Sequence, residues 1–313
     1  MVTLRTGASR MRAHRLLMAA LASVWWSASW AAGGQAATGQ AATGQAATGQ
    51  AAAGEGIQLP PRSRVADLVP AEQIEQRAAL AYQQMRSNAS AQGALAQEGH
   101  PKLVRLQAIA KRLLPHAARY NERAAQWRWE VSLIGSQALN AFAMPGGKIA
   151  FYTGIIERLH LTDDEIAFVM GHEIAHALRE HGRERQGKAM IAQGLTIGAS
   201  ILSQVMGYGD LGGQVARGVS GVTMLKFSRD DESEADLLGM DLSARAGYNP
   251  MAGISLWEKM ASASGGQGTP PQWLSTHPSH DSRIADIRKA LPRVMPLYER
   301  ARAEQGRAKP RNQ

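Results

Sequence analysis

The sequence predicts an α+β fold, mostly helical with one small sheet. Three observations predict it. Apolar residues recur at three- and four-residue spacing through most of the chain beyond residue 56. Two short stretches between residues 127 and 154 alternate or run apolar around a Pro-Gly pair, as strands do. Hydrophobic residues make up 44% of the 313-residue chain but aromatic ones only 5%, so the core is expected to be aliphatic and alanine-rich.

The elements follow in chain order. Arginines up to Arg15 precede LLMAALASVWWSASWAA, an apolar stretch of signal-peptide length that is short for a membrane span. Ser29-Trp30-Ala31 fits a small-x-small cleavage site, so residues 1–31 are expected to be a signal peptide and the mature protein periplasmic. Without cysteine there is no lipoprotein anchor and no disulfide. Residues 32–56 form a low-complexity GQAAT-repeat linker, because the pentapeptides contain no large apolar residue to bury.

The folded domain is expected over 57–292. PAEQIEQRAALAYQQM (70–85) and PKLVRLQAIAKRLL (101–114) start at proline with helical spacing. WRWEVSLI (127–134) reads as a strand and ALNAFAMPGGKIAFYTG (138–154) as a hairpin, with Pro145-Gly146 suited to a type II turn. Thr162-Asp163-Asp164-Glu165 is a capping box opening a helix that should stop near Gly182. Residues 190–206 read as an amphipathic or core helix, since Gln193, Thr196, Ser200 and Ser203 form a polar stripe. Further helices are expected from 229 to about 247, over 250–262 and over 281–290, with a loop between the last two. Residues 293–313 are expected to be a basic, solvated, partly disordered tail.

The net charge of +9 does not describe a basic binding face. Arg5, Arg10, Arg12 and Arg15 supply four of the charges and residues 300–313 a further net four, so the body is nearly neutral. Nucleic-acid binding is excluded on that ground.

Residues 171–182 read GHEIAHALREHG. Residues four apart on a helix differ by about 6 Å of rise and about 40° of rotation, so His172 and His176 can present two neutral imidazoles to one zinc ion. Glu173, beside His172, can reach a water on that ion without being a ligand. A catalytic zinc needs a third protein ligand, and the helix opening at 229 offers one. Glu232 and Asp236 are four apart and share a face; Glu234 lies about 200° round from Glu232. Glu232 is therefore expected on the metal, with Asp236 accepting the free N–H of a ligand histidine. His100, His116, His160 and His181 belong to no motif and are expected at the surface or in caps.

HEIAH, followed by SRDDESEAD and STHPSHDSRI, resembles the zinc metallopeptidases that include HtpX, BepA and the CAAX prenyl protease. Their HExxH…ExxxD pattern is matched by His172, Glu173, His176, Glu232 and Asp236, and NAFAMPGG (140–147) is similar to the family's strand before the helix. The likeness runs from about residue 70 to 292, nearest to small LoiP- or BepA-like periplasmic members, without BepA's tetratricopeptide domain, HtpX's membrane helices or a lipid anchor. It implies a zincin-like (gluzincin) fold with a small sheet beside the active-site helix, one Zn²⁺ per chain, and Glu173 and Asp236 as catalytic residues. It further implies His277 as a fourth ligand or latency switch, and Arg283 as an active-site contact. His280 is the other histidine of that loop. An extended substrate is expected to pair with the hairpin edge at Asn140, Ala141 and Phe142.

The expected activity is hydrolysis of peptide bonds in unfolded or misassembled cell-envelope and outer-membrane proteins, with peripheral association with the envelope and no membrane span in the mature chain. The alternative is a non-catalytic or latent envelope chaperone that keeps the zinc site.

Overall fold

The computed structural model describes residues 55–205, 227–264, 272–278 and 282–308. The expected signal peptide, nearly all of the repeat linker and His280 lie outside the described residues, all of which fall in one compact unit.

Helix α1 (Ala71–Ala91) follows Pro70, and α2 (Pro101–Leu113) starts on a proline whose fixed φ suits a first turn. Leu103, Leu106, Ile109, Ala110 and Leu113 form the buried stripe of α2. Three strands follow: β1 (Glu130–Ile134), β2 (Ala141–Met144) and β3 (Lys148–Tyr152). Their order is β1-β3-β2, with β1 parallel and β2 antiparallel to the central β3. The hairpin turns at Pro145-Gly146, where Gly146 has φ +81°, a value a type II turn requires and a side chain disfavours. The strand expected from residue 127 begins only at Glu130. Trp127 and Trp129 instead donate their indole N–H groups to Glu75 and to the carbonyl of Ala124. Tyr82 pins α1 to the sheet, donating to the Ile149 carbonyl at 3.0 Å and lying 2.8 Å from Ser132 Oγ.

Beyond the short α3 (Thr153–Arg158) come α4 (Asp163–Leu178), α5 (His181–Val205), α6 (Arg229–Arg245), α7 (Ala252–Ser264), α8 (Gln272–Thr276) and α9 (Ser282–Ala308). α4 is buried on every side from Glu165 to Leu178, the pattern of a central helix rather than a surface one. It packs antiparallel against α6, and the two meet at glycines. A Cβ on Gly171 would sit 2.7 Å from the Gly239 carbonyl oxygen, and one on Gly239 would sit 2.6 Å from the His172 nitrogen. Two bare backbones thus set how near the helices lie.

Four expectations change. α4 stops at Leu178, not near Gly182, because Glu180 takes the left-handed conformation (φ +60°) and breaks the helix. α5 starts at His181, ahead of the expected residue 190, and its Met190, Ile191 and Leu195 are exposed, which for residues 190–195 favours the amphipathic reading over the core one. The loop expected between the last two helices contains α8. α9 continues unbroken past 290 through Pro292 and Pro296, because Val294, Leu297 and Ala301 are buried against the core. The segment read as a solvated tail is helical as far as Ala308. No helix among the described residues is long and apolar enough to cross a membrane.

Candidate metal centre

The Thr162–Glu165 capping box starts α4, and Ser228 with Asp231 makes a second one that starts α6. Each helix then delivers its polar pair four residues apart: His172 and His176 from α4, Glu232 and Asp236 from α6. A third contribution comes from His277, just beyond α8. One donor atom from each of His172, His176, Glu232 and His277 lies within 4.8 Å of all the others, and all four residues are buried.

The hydrogen bonds settle which ring nitrogens face inward. His172 Nδ1 lies 2.9 Å from Asp236 Oδ1, so its N–H donates to the carboxylate and the Nε2 lone pair is left facing His176. The two Nε2 atoms are 3.1 Å apart, and each is 3.6 Å from an oxygen of Glu232. Ligands on a tetrahedral zinc with bonds of about 2.0–2.1 Å stand about 3.3–3.4 Å from one another. The observed separations bracket that figure. His277 Nδ1 lies 3.3 Å from His172 Nε2 and 2.9 Å from Glu232 Oε1, where a fourth donor would stand.

Charge points the same way. Arg283, fully buried, donates through Nε and Nη2 to both oxygens of Asp236 and through Nη1 to Glu232 Oε2, each at 2.6 Å. Glu173, Glu232 and Asp236 carry three formal negative charges against this one guanidinium. Buried charge is tolerated when compensated, and a divalent cation among neutral imidazoles closes the balance. Burial, reinforced by the neighbouring histidines and Arg283, holds His176 well below its ordinary pKa, hence neutral. Burial pushes Asp236 up, but Arg283 and the bond to His172 outweigh it and leave the carboxyl below its usual range. For His277 burial is likewise outweighed, by Glu173 and Glu232, and its pKa is raised. The residues present therefore fit a divalent ion of zinc's ligand preferences.

Glu173 is 2% exposed and accepts a 2.6 Å hydrogen bond from the Trp273 indole N–H. Trp273 stacks on His277 and on Trp257, while Phe227 stacks on His176 at 3.9 Å. Asn140, Ala141 and Phe142 lie at the start of β2, on the sheet edge beside α4, Asn140 just ahead of the strand.

Two participants escaped the sequence reading. His181, expected at the surface or in a cap, is the first residue of α5 and is buried, with its Nδ1 2.8 Å from His176 Nδ1. Glu234, which does face away from Glu232, accepts from His181 Nε2 at 2.8 Å. Helical spacing could not place His181, since the helix breaks between His176 and His181, and Glu234 enters only as the partner of that ring. Glu180 and Arg183, which prolong the motif as if along a solvated face, are buried and paired at 2.7 Å.

Comparison with known proteins adds a family. A sequence model of Peptidase family M48 matches residues 102–291. The mitochondrial metalloendopeptidase OMA1 of Schizosaccharomyces pombe is 32% identical over 196 residues, covering 62% of this chain and 54% of its own. Human mitochondrial metalloendopeptidase OMA1 is 29% identical over 185 residues, 56% of this chain and 34% of its own. The beta-barrel assembly-enhancing protease of Escherichia coli is 28% identical over 199 residues, 61% of this chain and 39% of its own. The chain thus spans about half the length of the first of these relatives and less of the others.

These matches carry the wider family and its zincin-like fold; the narrower likeness to HtpX and LoiP is not what they carry. They also correct the periplasmic placement. Relatives at 29–32% identity are mitochondrial by name, and the leader that suggested export lies outside the described residues.

Proposed function

The chain belongs to peptidase family M48, and from that premise we propose that it is a zinc-dependent endopeptidase acting on unfolded or misassembled polypeptides. His172, His176 and Glu232 hold the ion, Asp236 and Arg283 orient its ligands, and Glu173 is the general base. A bound zinc ion lowers the pKa of water towards ~7 and polarises a carbonyl oxygen.

The chain's own groups do the rest. Glu173, oriented by the Trp273 indole, takes a proton from the attacking water as the new C–O bond forms. It returns that proton to the departing amine as the C–N bond breaks. Asp236, clamped by Arg283, keeps the His172 proton on Nδ1 throughout. The substrate adds as an extended strand along the edge at Asn140, Ala141 and Phe142, so main-chain hydrogen bonds set its register. Such binding selects segments that are not already folded, which suits protein quality control. The name of the Escherichia coli relative, a beta-barrel assembly-enhancing protease, supports β-barrel proteins as one such substrate class.

The observation that carries this reading is the cluster of inward lone pairs with a formal deficit of two positive charges. Glu173, a general base that a purely structural site does not need, favours an enzyme over a chaperone that never cleaves, and the burial of Glu173 and all four donors suits a resting state in which His277 would be the fourth donor. Metal analysis of the purified chain and casein cleavage by wild type and Glu173→Gln test it. About one zinc per chain is expected in both, with cleavage reduced ~10²–10⁴-fold in the variant. Wild-type cleavage by Glu173→Gln would refute the mechanism.

A further inference from the structure

The metal reading above gives His172 Nδ1 a carboxylate partner, Asp236, whereas among the described residues His176 Nδ1 meets the ring of His181 instead. We propose that His181 and Glu234 form a positioning relay that holds the His176 proton on Nδ1 and turns its Nε2 lone pair towards His172 and Glu232. The inference rests on that metal reading only for what Nε2 binds.

Backbone geometry makes the relay. Five residues along an unbroken helix, His181 would point about 140° away from His176. α4 instead ends at Leu178, Glu180 takes φ +60°, and α5 restarts at His181. That reversal brings the two imidazoles edge to face, with ring centres 5.0 Å apart. A glutamate rarely adopts such a backbone. Here its side chain is held by Arg183 Nη1 at 2.7 Å and Arg62 Nη1 at 3.3 Å.

Proton bookkeeping then leaves one arrangement for neutral rings. Glu234 Oε2 lies 2.8 Å from His181 Nε2, and a carboxylate can only accept, so the His181 proton sits on Nε2. Its Nδ1 is therefore an acceptor. The atom 2.8 Å away, His176 Nδ1, must donate, which strips the proton from His176 Nε2. Glu234 is fixed in turn by Arg179, whose Nη2 lies 2.7 Å from its other oxygen, Oε1, in ion-pair contact but out of line for a hydrogen bond. Glu232, Glu234 and Asp236 thus divide the work of α6. The outer two face α4, and the middle one reaches the junction of α4 and α5.

The test uses the full chain, metal-free and zinc-loaded. Histidine ¹⁵N shifts in the metal-free wild type should show His176 as the Nδ1–H tautomer. In His181→Phe and Glu234→Ala that preference should be lost. Zinc affinity, read by competition with a chromophoric chelator, should weaken about 10–100-fold in both, and Glu234→Gln, which keeps an acceptor, should recover most of it. A wild-type tautomer and wild-type zinc affinity in folded His181→Phe or Glu234→Ala would overturn the relay. Should His181→Phe fail to fold by circular dichroism, the same two measurements on Glu234→Ala, at a half-buried position, decide. If the wild-type chain binds no zinc, the metal reading fails, while the tautomer measurement still decides the relay.

Discussion

Replacing Gly239 by alanine tests whether the helix crossing positions the centre. The new Cβ would lie 2.6 Å from the His172 nitrogen and 2.9 Å from its Cα and from the Gly171 carbonyl carbon. All three atoms are backbone, so no rotamer change relieves the clash. Normal contact requires α6 to withdraw by roughly 1 Å, an overpacking strain of about 1–3 kcal/mol. For a domain of this size that corresponds to a fall in Tm of roughly 2–12 °C.

The same displacement stretches the 2.9 Å His172–Asp236 hydrogen bond past bonding range and draws Glu232 away from both imidazoles. A misplacement of ~1 Å costs on the order of 10²-fold in rate. Differential scanning calorimetry, zinc competition and casein cleavage should therefore all fall together. An alanine variant with wild-type Tm and wild-type zinc affinity would show that the glycine pair does not set the site.

Two more outcomes follow from particular contacts. His277→Ala should raise basal cleavage several-fold, because it removes the ring that bonds Glu232 and stacks on the tryptophan holding Glu173; a loss of activity would refute its role as a latch. Glu165→Gln should lower Tm at pH 7. Burial pushes the Glu165 carboxyl up, but Lys259, Ser255 and the Thr162 backbone N–H together hold it below its usual range. A depressed folded pKa contributes stability above the unfolded value of about 4.3, lost as pH falls through the folded one. The gap between variant and wild type should thus close in acid, and a gap constant from pH 7 to pH 3 would contradict the assignment.

The sequence by itself determined whatever depends on neighbours within a turn or two of chain. A capping box marked the start of α4, Pro145-Gly146 marked the hairpin, and four-residue spacing paired His172 with His176 and Glu232 with Asp236. Those signals are local, because helical rotation and turn dihedrals are properties of a few consecutive residues. Only the tertiary structure decided how near the two helices lie, through a Gly171–Gly239 contact between residues 68 apart in sequence. It also decided that His181 and Glu234 belong beside the centre, since a single left-handed residue at Glu180 erases the helical phase from which His181's position could be read, and Glu234 gains its place only through that ring. Likewise, the two prolines of α9 locally signal a stop, and the apolar surface that Val294, Leu297 and Ala301 bury overrides it. Phase is inherited along the chain only while the backbone stays regular; beyond a break, packing sets direction.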